Sequence, residues 1–94
     1  MLTATTKALL VKVATAADGH PLFVQCSPPV GSFTSTWRVK VVCAKRVFDA
    51  PFVRGGRSHD KCVCEARSRV NAMKRAQEVA RHLESLGIRA TAEH

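Results

Sequence analysis

The segment from Ser68 to Gly87 constrains the fold most, because its apolar residues recur at the spacing of an α-helix. Five of them follow one another at steps of 4, 3, 4 and 3 residues, namely Ala72, Ala76, Val79, Leu83 and Leu86. Ser68 is a typical N-cap residue, and Gly87 is a typical residue at a helix C-terminus. The sequence therefore predicts a helix over about residues 69–86 with one apolar face, which must be buried against another element.

Five further segments have the features of strands. They are residues 7–13, 21–26, 37–43, 61–66 and 88–92. In the third, apolar and basic residues alternate through Trp37-Arg38-Val39-Lys40-Val41, as in a strand with one buried and one solvated face. In the first, Leu9, Val11 and Val13 share one face, and Asp18-Gly19 is a turn signal that predicts a hairpin to the second.

These elements predict a single α+β domain over residues 1–94 in the order β-β-β-β-α-β. We expect a small antiparallel sheet of about four to five strands, with one main C-terminal helix packed on one face. Residues 44–60 show no strong periodicity and contain several basic residues and Gly55-Gly56, so they predict a long basic loop. Loops of this length are uncommon in small domains and are often functional.

The charge of the chain is concentrated in its middle. The formal net charge is +8, and residues 38–75 contain eleven Lys/Arg against three Asp/Glu. A concentrated positive field attracts polyanions, so we expect nucleic-acid phosphates or an acidic protein surface as the partner. The candidate contact residues are Arg38, Lys40, Lys45, Arg46, Arg54, Arg57, Lys61, Arg67, Arg69, Lys74 and Arg75.

Cysteine and histidine residues in the same region raise two other possibilities. Cys62 and Cys64 are predicted to share one face of a strand, and with Cys43 and His59 they could form a zinc site. Only one residue separates Cys62 from Cys64, whereas the paired cysteines of ordinary zinc knuckles are separated by two to four. We therefore expect reduced structural thiols and no cofactor. The acidic residues are scattered, so the chain lacks the clustered carboxylates of a metal-dependent nuclease. We therefore expect that the protein is not an enzyme.

No apolar run approaches the roughly 18 residues that a membrane-spanning helix requires. The N-terminal residues also lack the charged-then-apolar order of a secretory signal. We therefore expect a cytoplasmic protein without a membrane partner, located in the host cell if it is phage-encoded.

The segment Cys64-Glu-Ala-Arg-Ser-Arg-Val-Asn-Ala-Met-Lys-Arg-Ala-Gln-Glu-Val-Ala continues from a strand through a short turn into a helix. With its small size and basic charge, the chain resembles phage-encoded anti-CRISPR proteins of the type I-F class over residues 61–92. That resemblance implies a non-enzymatic inhibitor that docks on a CRISPR surveillance complex. Because many such inhibitors are acidic DNA mimics and this chain is basic, it would contact guide RNA or an acidic subunit surface and obstruct target-DNA recognition.

Two alternatives to this inhibitor hypothesis stay open at the level of the sequence. The protein could be a free-standing DNA- or RNA-binding regulator, as a monomer or as a homodimer formed through exposed strand edges. It could also be a small toxin-like ribonuclease that uses His59 with neighbouring basic residues.

Overall fold

The computed structural model describes residues 1–30, 35–50 and 52–93. Two helices lie near the ends of the chain, α1 over Ala4–Ala17 and α2 over Arg69–Ser85. The strands are β1 (Leu22–Ser27), β2 (Trp37–Cys43), β3 (Phe48–Asp49), β4 (Arg57–Ser58), β5 (Asp60–Ala66) and β6 (Ala90–Ala92). The predicted α+β class is confirmed. Neither described helix is long and apolar enough to cross a membrane.

The main sheet has four strands in the order β5-β2-β1-β6. β1 pairs with β2 and β2 with β5 in antiparallel register, whereas β6 runs parallel to β1. The sheet is therefore mixed, and the prediction of a purely antiparallel sheet was wrong at this edge. A parallel neighbour requires a crossover connection, and α2 lies between β5 and β6 in the chain.

The first element is a helix, so the predicted strand over residues 7–13 and the order β-β-β-β-α-β were wrong. The buried residues of α1 are Thr6, Leu10, Val13 and Ala17, which recur at helical spacing. The hydroxyl of Thr3 caps the helix by accepting a hydrogen bond from the Thr6 backbone N–H at 3.1 Å. Asp18 and Gly19 have positive φ angles of 48° and 82°. They end the helix in the left-handed conformation and do not form a hairpin turn.

The predicted C-terminal helix is confirmed. Ser68 is its N-cap, with its hydroxyl accepting from the Asn71 backbone N–H at 3.2 Å. Five residues of α2 are buried, namely Ala72, Ala76, Val79, Ala80 and Leu83. The small alanines allow the helix to lie close to the sheet, and Gly87 follows it with a φ of 86°.

Both helices pack on the same side of the sheet and form one core with it. The sheet contributes inward-facing residues, which are Leu22, Val24, Val39, Val41, Cys43, Val63 and Ala90. α2 crosses all four strands, and α1 lies beside α2 over the edge strand β5. The domain thus has a helical layer, a core and one sheet face that neither of the two described helices covers.

The predicted basic loop at about residues 44–60 contains a two-stranded hairpin. Phe48 pairs with Ser58 and Asp49 with Arg57, and the buried Phe48 side chain anchors the hairpin to the core. Since the hairpin joins the end of β2 to the start of β5, it lies at one end of the sheet, and α2 begins at the other. The seven residues of β5 separate these two places by about 20 Å.

Candidate functional site

The uncovered sheet face carries two of the predicted contact residues, Arg38 and Lys40, and β5 places one carboxylate near each of them. By register Arg38 lies opposite Glu65, and Lys40 forms an ion pair with Asp60 at 3.7 Å. A strand over residues 7–13 would have placed Lys12 on the face opposite Leu9, Val11 and Val13 and thus on the uncovered side of the sheet, but Lys12 belongs to α1. The uncovered face is therefore close to neutral, and the basic stretch is divided between different surfaces.

A β-bulge at Val63 changes which faces the two neighbouring thiols occupy. The register shifts between Val39 and Lys40, so Cys64 lies opposite Val39 and Cys62 opposite Lys40. Val39 belongs to the core, whereas Lys40 is on the uncovered face. The prediction that Cys62 and Cys64 share one face was wrong, because the extra residue of a bulge restarts the alternation of the strand.

The four cysteines are free thiols. Burial raises the pKa of Cys26 and of Cys62, and burial together with the adjacent Cys62 raises the pKa of Cys64 to about 11. These thiols therefore hold their protons at neutral pH, which disfavours nucleophilic chemistry. In the described ranges no three His, Cys, Asp or Glu side chains are grouped so that they could hold a metal ion.

His59 is held by two hydrogen bonds. Its Nδ1 lies 3.1 Å from the carbonyl oxygen of Cys43, and its Nε2 lies 3.3 Å from Nε of Arg46. Since a carbonyl can only accept and an arginine can only donate, this arrangement requires the tautomer with the proton on Nδ1. Both ring nitrogens of the residue proposed for a ribonuclease are thus engaged in holding the loop.

The hairpin and its flanks carry five of the predicted contact residues. Four of these side chains are exposed, namely Lys45, Arg46, Arg54 and Arg57, and Lys61 is half-buried at the start of β5. Arg57 donates to the carboxylate of Asp49 across the hairpin. Its side chain and that of Lys61 line a cleft against α1, opposite Lys12.

The remaining predicted contact residues gather where α2 begins. Arg67, Lys74 and Arg75 line a cleft of about 420 Å³, whereas Arg69 lines a neighbouring groove beside Trp37. Arg75 donates to the Met1 carbonyl oxygen at 2.5 Å and lies 3.4 Å from Glu78.

The other cations at this end of α2 stay unneutralised. No carboxylate of the described chain forms an ion pair with Arg67, Arg69 or Lys74. The positive end of the α2 dipole adds to their field.

The carboxylate that faces this cleft from α2 is Glu78. The Met1 amino group donates to it at 3.1 Å, and this hydrogen bond is the largest of the effects that lower the pKa of Glu78. Glu78 is therefore ionised at neutral pH and is satisfied by the N-terminal residue and by Arg75.

Three grooves beside α1 and the start of α2 bring together basic residues from distant parts of the sequence. One lies against the start of α2, one between α1 and α2, and one against the hairpin. We call their combined rim the helical surface. Its basic residues are Lys7, Lys12, Arg57, Lys61, Arg67, Lys74, Arg75 and Arg81.

The helical surface keeps a clear excess of positive charge. Its grooves contain eight Lys/Arg and three Asp/Glu, which are Asp49, Glu78 and Glu65, the last being the edge-strand residue that also lies opposite Arg38. Reasoning from the sequence missed Lys7, Lys12 and Arg81 because they lie outside the basic stretch. The signal that could have found the first two is the helical spacing of Thr6, Leu10, Val13 and Ala17.

Aromatic side chains do not form a base-stacking surface in the described part of the chain. Trp37 packs against the core and Phe48 is buried in it. Phe23, on the uncovered sheet face, is 38% exposed, and Phe52 is isolated at the hairpin tip. Proteins that bind single strands generally stack several bases on exposed aromatics. The arrangement is better suited to contacts with phosphates.

Comparison with protein-family models, with curated proteins and with solved structures found no match for this chain.

Proposed function

We propose that this protein is a non-enzymatic nucleic-acid-binding module whose helical surface contacts the phosphates of a base-paired duplex. The observation that carries the proposal is the division of charge between the two sides. The helical surface has an excess of Lys and Arg over Asp and Glu, whereas on the uncovered sheet face Glu65 lies opposite Arg38 and Asp60 forms an ion pair with Lys40. Phosphate contacts of this kind supply affinity without reading sequence.

The choice of a duplex follows from two features of the helical surface. Its polar contacts come from long, exposed cations, and it lacks the aromatic array that would bind unpaired bases. The longest dimension of the domain is 33 Å, close to one helical turn of a B-form duplex at about 34 Å. Cations at the hairpin and at the start of α2 can therefore contact one duplex within a single turn.

Docking on a nucleoprotein complex is the narrower form of this proposal. A guide RNA paired with its DNA target is a duplex that proteins recognise by its backbone. An anti-CRISPR inhibitor that uses the helical surface would compete for such a heteroduplex or for the guide RNA. A free-standing DNA- or RNA-binding regulator would use the same surface on a bare duplex, so the two forms differ in partner and not in mechanism.

The test compares two double variants that remove the same charges. Arg67→Gln/Lys74→Gln neutralises one Arg and one Lys of the helical surface, and Arg38→Gln/Lys40→Gln does the same on the uncovered sheet face. Duplex affinity is measured by fluorescence anisotropy over a range of salt concentrations. We expect the first variant to reduce the slope of log K against log salt by about two units, since each lost phosphate contact removes about one.

The sheet-face variant should keep the wild-type slope. Equal losses in both variants would contradict the proposal, because they would show that total charge and not the helical surface governs binding. Capture of a nucleoprotein complex from the host, with and without nuclease treatment, separates the narrower form from the free regulator. Capture of the complex by the wild type, with its loss in Arg67→Gln/Lys74→Gln, supports docking on the assembly through the helical surface.

A further inference from the structure

The tip of the β3–β4 hairpin exposes two neighbouring apolar side chains. Phe52 is 98% exposed and Val53 is 61% exposed. Both project from an element whose base is fixed, because Phe48 is buried in the core and Asp49 pairs with Arg57. Single exposed apolar residues are normal on a protein surface, but these two are adjacent in sequence and stand on one turn.

Backbone hydrogen bonds give the tip a defined shape. The Val53 N–H donates to the Ala50 carbonyl at 3.3 Å, and the Gly56 N–H donates to the Val53 carbonyl at 2.8 Å. Gly55 adopts a φ of 72°, and a Cβ at Gly56 would lie 2.8 Å from the Val53 side chain. The tight turn therefore holds the apolar pair outward.

The surroundings of the tip are basic and continuous with the helical surface. Arg54 follows the apolar pair directly and is exposed. At the base of the hairpin, Arg57 lines the same groove as Lys12 and Lys61. An apolar tip flanked by cations complements the minor groove of DNA, where apolar side chains can insert between base steps and cations can contact the phosphates.

We propose that Phe52 and Val53 act as an apolar wedge that enters the minor groove of a DNA duplex and partly unstacks one base step. This inference rests on the proposed function, since the helical surface must first bind the duplex. Arg54, which follows the apolar pair directly, contacts a phosphate beside the groove. The wedge bends the duplex, and flexible pyrimidine–purine steps are the preferred sites because they are the easiest to unstack.

The experiment uses a DNA duplex of roughly one helical turn with 2-aminopurine at a central TA step and a fluorophore pair at its ends. Wild-type protein should raise the 2-aminopurine fluorescence and shorten the end-to-end distance. Phe52→Ser/Val53→Ser should abolish both changes and weaken binding about tenfold while leaving the salt slope unchanged, because no phosphate contact is lost. Both residues are exposed, so the variant should keep the wild-type stability.

Two controls separate the wedge from general effects. Val30 is also 61% exposed, and Val30→Ser should behave like the wild type. Phe52→Leu keeps an apolar side chain at the tip and should retain unstacking, since leucine also serves as a wedge in minor-groove binders.

The possible failures can be told apart. Duplex binding by the wild type without a fluorescence change would overturn the wedge and leave the helical surface intact. Absence of any duplex binding by the wild type would overturn both proposals. If Phe52→Ser/Val53→Ser binds DNA like the wild type but no longer captures a nucleoprotein complex, the tip contacts a protein pocket and the wedge is overturned.

Discussion

The uncovered sheet face and the helical surface contain the same kinds of basic residue but differ in what surrounds them. On the sheet, β5 places Glu65 opposite Arg38, and Asp60 forms an ion pair with Lys40. Around α1 and the start of α2, eight Lys/Arg from separate elements share the grooves with three acidic residues, one of which is Glu65 itself. A count of charge along the chain predicts the sign of the partner, but cross-strand register and helix packing determine which side can bind it.

The two sides also differ in how much they contribute to stability. Leu83 of α2 is fully buried between helix and sheet, whereas Phe23 lies on the uncovered face. Leu83→Ala should lower the free energy of unfolding by about 2–5 kcal/mol, and Phe23→Ala by about 1 kcal/mol. Urea denaturation monitored by Trp37 fluorescence measures both. A larger loss for Phe23→Ala would mean that the uncovered face is packed against something in solution.

Removing the carboxylate that pairs with Lys40 should reduce the difference in net charge between the uncovered sheet face and the helical surface. In Asp60→Asn the ion pair at 3.7 Å is lost, and the sheet face gains one positive charge. We expect duplex affinity at low salt to rise about threefold, by a nonspecific Coulomb attraction, with less than about 1 kcal/mol lost in stability.

The control is Asp18→Asn, which makes the same change in net charge at the C-cap of α1 and should change duplex affinity less. Adding Lys40→Gln to Asp60→Asn should cancel the gain. A gain that survives the second substitution would show that Asp60 acts through some group other than Lys40.

The smallest expected effect is a loss of stability at alkaline pH that comes from Cys64, the thiol on the core side of the bulge. Burial and the neighbouring Cys62 raise the pKa of Cys64 from its ordinary value of 9.0 to about 11. The folded thiol holds its proton more tightly than the unfolded one, so the stability it contributes is present below pH 9 and is lost as the pH approaches 11.

Thermal denaturation across this alkaline range should therefore show a decline that is reduced in Cys64→Ala. Each melting temperature is compared with that of the same protein near neutral pH, so that the cavity left by the substitution does not enter the comparison. An undiminished decline in Cys64→Ala would contradict the assignment to this thiol.

Part of the fold could be predicted because its signals are local and unambiguous. In α2, the N-cap Ser68, the apolar stripe and Gly87 all indicate the same helix, and in β2 the alternation from Trp37 to Val41 indicates a half-buried strand. In α1 two periodicities compete. Leu9, Val11 and Val13 alternate as in a strand. The helical stripe includes Thr6, which is polar, and Ala17, which is small, so neither stands out in a pattern of apolar residues.

The Asp18-Gly19 pair was equally ambiguous. Both hairpin turns and helix C-termini use residues with positive φ, so the same dipeptide suits either. The bulge at Val63 leaves no sequence signal at all, because it is produced by the fit of β5 to β2. Because of that single residue, Cys62 and Cys64 lie on opposite faces of the sheet. Two thiols on opposite faces cannot bind one metal ion together.

The sequence by itself determined the α+β class, the helix α2 and the concentration of positive charge in residues 38–75. Those properties depend on composition and on periodicities within about twenty residues. Only the tertiary structure decided that Arg38 and Lys40 face carboxylates while Lys7, Lys12 and Arg81 join Arg67 and Lys74 around α1. Electrostatic fields depend on distances in space, and pairing between strands and packing between helices set those distances across the whole chain.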